Sequence, residues 1–182
     1  MKKLILVGFF LSLLVGCTRE DLAVQIVRNP LIKFDTDSSS WKADTYFFTG
    51  PATVVVYPAD PSLPGVLYNR FTLQASGKDS KGNTLQLNMT FDAVDANRLT
   101  GIYKVPYTID RGLNEVQLFS IGGTNAAFSL CPNDSTTALL AVQKQSITEK
   151  LITATFSMTL CNNRDTAQKI NIKNGIITDI HY

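Results

Sequence analysis

Groups able to do chemistry are few in this sequence and stand far apart. Its one histidine, His181, is next to the last residue. A serine or cysteine nucleophile would need that base held in place, and chain ends hold catalytic geometry poorly. His181 therefore reads as a strand-end or solvent-facing residue. No Gly-x-Ser-x-Gly, His-Glu-x-x-His, P-loop or paired-glycine dinucleotide fingerprint occurs. Asp35-Thr-Asp37-Ser-Ser39 opens like a calcium loop. Its sixth position is Ser40, where the loop needs glycine, and its twelfth is Tyr46, where a bidentate glutamate belongs. It reads as a turn. The other carboxylates stand singly, so a hydrolase with a paired acid would have to be assembled by the fold. Neither a metal nor a cofactor is expected, and no enzyme activity is read from these residues.

Aromatic residues carry a second line of reasoning. Trp41, Tyr46, Phe47, Phe48, Tyr57, Tyr68, Tyr103 and Tyr107 could supply a glycan- or protein-recognition surface. The core of a β-sandwich, with phenylalanines and inward tyrosines, has the same composition. If Tyr46-Phe47-Phe48 is strand, neighbours face opposite sides, and at least one ring looks outward.

Residues 1–16 look like an address rather than a fold. Lys2 and Lys3 precede the 12-residue apolar run from Leu4 to Val15. That run falls short of the roughly 20 residues a membrane-spanning helix needs and has the length of a signal-peptide core. Leu14-Val15-Gly16-Cys17 resembles the lipobox of bacterial lipoproteins. The resemblance implies cleavage before Cys17 and acylation of Cys17 with fatty (palmitate-type) chains, hence a partner in the membrane itself. Two or three chains make such an anchor durable where one does not. Thr18 in place of an aspartate favours the outer over the inner membrane in that group. Removing Lys2 and Lys3 leaves 15 basic residues against 15 acidic, which excludes a basic field for nucleic acid.

With Cys17 lipidated, Cys131 and Cys161 form an even pair in an oxidising compartment. They are expected either to be bonded, closing a loop of roughly 30 residues worth about 3–4 kcal/mol, or to be separate buried thiols.

The elements that would position these groups are strands. The chain has 182 residues, 45% of them hydrophobic and 18% charged, enough apolar content for one packed domain and too much for a disordered chain. Residues 17–40 read as a lipidated tether, because Pro30 and the run Asp35 to Ser40 break regular structure. From Trp41 to Tyr182 the pattern is a single β domain. Phe71, Leu73 and Ala75 alternate with polar residues, as do Leu85, Leu87, Met89 and Phe91, and Ile152, Ala154, Phe156, Met158 and Leu160. Residues 137–145 have helical propensities and Ser146 to Glu149 matches a capping box; a strand is preferred because the following segment alternates. Asn174-Gly175 predicts a closing hairpin. About ten short strands imply an all-β antiparallel sandwich, with a small up-and-down barrel as the alternative.

Cys17, Trp41-Lys-Ala43, Asn83 to Leu87, Gly101-Ile-Tyr103, Ala154 to Met158 and Ile170 to Ile176 occur in an order that resembles small all-β envelope lipoproteins of Bacteroidetes. The resemblance implies a lipid-anchored β domain and carries over no catalytic residue. Asp134-Ser-Thr136 and Asp165-Thr-Ala167 further resemble sites where such bacteria attach O-glycans, which would place Ser135 and Thr166 in exposed loops. The function expected is non-enzymatic binding or support at the envelope, with a glycan or another envelope protein as partner.

Overall fold

The structure, a computed structural model, describes residues 30–56, 65–105, 110–121, 126–131 and 138–182. Among them are ten strands: β1 (Leu31–Asp35), β2 (Ser40–Val56), β3 (Val66–Asp79), β4 (Thr84–Ala93), β5 (Gly101–Lys104), β6 (Arg111–Ile121), β7 (Ala127–Leu130), β8 (Leu139–Ser146), β9 (Leu151–Asn162) and β10 (Lys169–His181). A pleated strand turns successive side chains to opposite faces, so the alternating segments become walls with one dry side. Phe71, Leu73, Ala75, Leu87, Met89, Phe91, Ile152, Ala154, Phe156, Met158 and Leu160 are all buried. Each large side chain among them contributes about 1.5–3 kcal/mol by leaving water.

The fold is all-β and antiparallel, as the alternation implies. Its pairings run β1-β2-β3-β4-β6-β7-β9-β10 and return to β1. A ring in chain order is the layout of an up-and-down barrel. Its opposing walls meet across one core, as the sheets of a sandwich do. One edge of β9 is shared: residues 160–162 pair with β7, and residues 151–157 pair with β8, which β5 then extends.

Two local expectations meet the structure differently, and a third is met. The tether assigned to 17–40 ends earlier, because β1 lies inside it. Ile32 and Phe34 are buried, and Phe34 stacks on Trp41 with ring centroids 4.7 Å apart. Five residues give too little alternation to be noticed between Pro30 and a polar run. That run is the β1–β2 turn, closed by Thr36 N–H to the Ser39 carbonyl at 2.7 Å.

Asn174-Gly175 makes no hairpin. β10 continues through it, and the register slips between Ile172 and Gly175, a bulge with Asn174 at φ 52°. A hairpin there would pair β10 with itself. The flanking β1 and β9 offer more partners, so tertiary pairing overrides the turn signal.

The strand preference for residues 137–145 is met by β8. Ser146 and Glu149 still bond each other, inside the β8–β9 turn instead of a helix. Ser146 Oγ bonds Glu149 Oε2 at 3.1 Å and accepts from Glu149 N–H at 3.3 Å.

Gly175 is required by crowding. An added Cβ would meet Phe156 Cδ2 and the Phe156 carbonyl oxygen, each at 2.5 Å. Gly82, at φ +85°, has open space around it. Gly175→Ala should therefore destabilise by about 2–3 kcal/mol through overpacking, and Gly82→Ala by about 1 kcal/mol through backbone strain alone. Urea denaturation of both variants checks the order.

Candidate functional site

Cross-strand register assembles a charged cluster on β3, β4 and β6. Arg70 stands directly opposite Asp92. Asp92 is fully buried, an uncommon state for a carboxylate, and Arg70 grips both its oxygens, Nε to Oδ1 at 2.9 Å and Nη2 to Oδ2 at 2.8 Å. This is the bidentate fork that guanidinium geometry favours. Beside it Tyr68 is buried. Desolvation raises its phenol above the ordinary value, and the Asp110 and Asp92 charges push the same way. Arg111 Nη2 meets Asp110 at 2.9 Å, and Nη1 donates to the Thr100 carbonyl at 2.9 Å. Its guanidinium lies 5.7 Å from the centre of the Tyr103 ring. Tyr103 donates to the Leu99 carbonyl at 2.7 Å, and burial drives its phenol far above the usual range.

This arrangement brings two aspartates near one tyrosine. Each faces its own guanidinium. The Arg70–Asp92 pair ties β3 to β4.

Around the opposite rim, short polar residues saturate the carboxylates. Ser40 Oγ, at 2.7 Å, and Asn174 Nδ2, at 3.1 Å, donate to Asp35 and hold its pKa below the ordinary value. Lys173 and Asn171, both at 2.7 Å, do the same for Asp37. Burial raises Asp79, but bonds from Asn83 and from the backbone N–H groups of Asn83 and Lys81 outweigh it and lower the pKa. The calcium-like stretch is thus a turn whose acids bind the protein's own donors. Next to it a depression of about 420 Å³ opens on the wall formed by β1, β2, β3 and β10. Lys33, Lys42, Lys78, Trp41, Phe34 and Asn174 are among the residues that line it.

Cys131 and Cys161 are joined by a disulfide, the bonded form of the two alternatives. Thr166 is exposed in the β9–β10 turn, where Ala167 N–H and Gln168 N–H bond the Asp165 side chain and carbonyl. Cys17 and Ser135 lie outside the described residues, as do Tyr57 and Tyr107. His181 is the exposed last residue of β10, paired with Leu151.

The aromatic set is mostly spent on packing. Trp41, Tyr68 and Tyr103 are buried, and Phe48 packs against Phe71, Phe91 and Tyr182. Tyr46 and Phe47 are exposed, Phe47 at 62%. Tyr46 pairs with inward Ala75 and Phe47 with outward Gln74, so the two rings serve opposite faces and do not form one platform.

No protein family, curated protein or solved structure matches the chain.

Sequence reasoning missed Arg70 and Asp92, although a signal was there. Once Phe71 is set opposite Phe91 in the predicted hairpin, antiparallel counting puts Arg70 opposite Asp92.

The neutral Tyr103 phenol links stability to alkaline pH. An unfolded tyrosine ionises near its ordinary value of about 10, while the folded one keeps its proton to higher pH. Its contribution is fully present below that value and is lost as pH rises toward the folded pKa. Tyr103→Phe should cost about 1 kcal/mol at pH 7 by losing the bond to Leu99, and should flatten the fall in stability above about pH 10. Urea midpoints on both sides of that pH check it.

Proposed function

We propose that this chain is a lipid-anchored protein of the bacterial cell envelope, held at the outer rather than the inner membrane, which acts by binding or support and not by catalysis. The observation that carries the reading is the place of Cys17. The lipobox-like Leu14 to Cys17 ends 13 residues before β1, and β1 is a wall strand of the ring. Fully extended, those 13 residues reach at most about 45 Å, which keeps the domain close to the surface that holds its acyl chains. The Cys131–Cys161 bond supports an oxidising compartment, where such bonds persist. The arginine-paired aspartates support a role without acid–base chemistry. The likeness to small Bacteroidetes envelope lipoproteins belongs to this same reading, and exposed Thr166 suits glycan attachment.

Recognition, of a glycan or of an envelope protein, is favoured over bare support by one outward row. Phe47, Gln74, Asn88 and Gln117 stand side by side across β2, β3, β4 and β6. One exposed ring stands beside three amides, of which Asn88 accepts from Gln86 and Gln117 donates to Glu115, a row suited to polar ligands with an apolar face.

Growth of cells expressing the chain with labelled palmitate tests the anchor. The label should appear on the mature protein and be lost in Cys17→Ser, with that variant leaving the membrane fraction. An unlabelled wild-type protein overturns the proposal.

A further inference from the structure

Three lysines stand in one row on the outer face of the wall. Lys33 is directly opposite Lys42, and Lys42 is directly opposite Lys78. Directly opposed side chains in antiparallel strands leave the sheet from Cβ atoms about 4.5–5.5 Å apart, and like charges so placed are destabilising. A sheet that needed only solubility would alternate the signs. Among the described residues no carboxylate comes within ion-pair distance of any of the three ammonium groups. Asp35 and Asp79 line the same depression, but their oxygens take bonds from Ser40 and Asn174, and from Asn83 and the Lys81 N–H. Three ammonium groups against two carboxylates leave the depression positive.

Its volume, about 420 Å³, falls in the range of small-molecule sites. Trp41 is among the lining residues, its ring packed on Phe34 on the inner face of the wall. A depression edged by more ammonium groups than carboxylates is the counterpart of a group rich in negative oxygen.

We propose that the Lys33–Lys42–Lys78 row is a binding site for a phosphate-type oxyanion carrying two or more negative charges. Lysine is a compact point charge on a flexible stem and a common phosphate ligand. Three of them side by side can share one diphosphate or two neighbouring phosphates. The chemistry is the same whether the phosphate is free, as in a soluble phosphorylated ligand, or belongs to a lipid headgroup. β1 favours the free form. Leu31, where the link to Cys17 enters, is at the opposite end of β1 from Asp35 and the depression's rim. The site goes beyond the anchoring role and does not depend on acylation of Cys17.

Trp41 is the single tryptophan of the chain and adjoins Lys42, so intrinsic fluorescence reports on this part of the wall. The full chain in neutral-detergent micelles is titrated with inorganic pyrophosphate, and separately with micelles containing phosphatidylglycerol. A saturable Trp41 change with pyrophosphate, weakened in 0.5 M NaCl by screening, supports the site and assigns a free ligand. A saturable change confined to phosphatidylglycerol micelles supports it and assigns a headgroup. In K33Q/K42Q/K78Q the apparent affinity should fall at least tenfold. All three positions are exposed, and the single variant K42Q, at the centre of the row, serves if the triple variant does not fold. No saturable change with either probe, or a change that the variants retain in full, overturns the proposal. Palmitate labelling is silent in this assay, so the anchor and the site fail separately.

Discussion

Closing a ring of strands requires a partner on both sides of every wall strand, and the shortest wall strand here is β7, four residues long. It offers three residues to β6 and three to β9, far fewer than the ten pairs that join β3 to β4. The disulfide sits at this seam. Cys131 follows β7 directly, and Cys161 is paired with Ser129 within the same short ladder. Cross-linking a loop of this length is worth about 3–4 kcal/mol by the chain-entropy account. A covalent bond placed beside so short a strand lets four residues complete a wall. Everything else in the molecule follows from that closure, because an open ring would expose both sheet edges and the shared core.

With the ring closed, its outer wall becomes a fixed grid, and register decides which polar residues meet. The same antiparallel counting sets Arg70 against Asp92 and Lys42 between two lysines. The two outcomes are physically opposite. Arg70 and Asp92 compensate each other at the cost of desolvation and tie β3 to β4. The lysines form no ion pair among the described residues and leave an excess of positive charge beside a hollow. One cluster looks inward to the fold and the other outward to solution, although both arise from a single residue per strand.

The terminal strands show how tertiary context overrules local signals. Asn174-Gly175 is among the strongest hairpin signals a sequence can carry, yet β10 runs straight through it because β1 and β9 pair along its length on both sides. The turn chemistry survives as a bulge, with Asn174 in the left-handed region and its side chain donating to Asp35. Likewise Ser146 and Glu149 keep the hydrogen bonds of a helix cap inside a strand-to-strand turn. Local residues chose their hydrogen bonds, and the sheet chose what those bonds would be used for.

The all-β class, the inward residues of β3, β4 and β9 and the strand at β8 were legible because alternation at period two is a local property, visible within six to ten residues. The start of the domain at β1, the bulge in β10 and both charged rows were not. Each depends on which distant strand lies alongside, and a shift of one residue in that pairing would turn every side chain to the other face. Alternation says which side chains are dry; only the closed ring says which of the wet ones are neighbours.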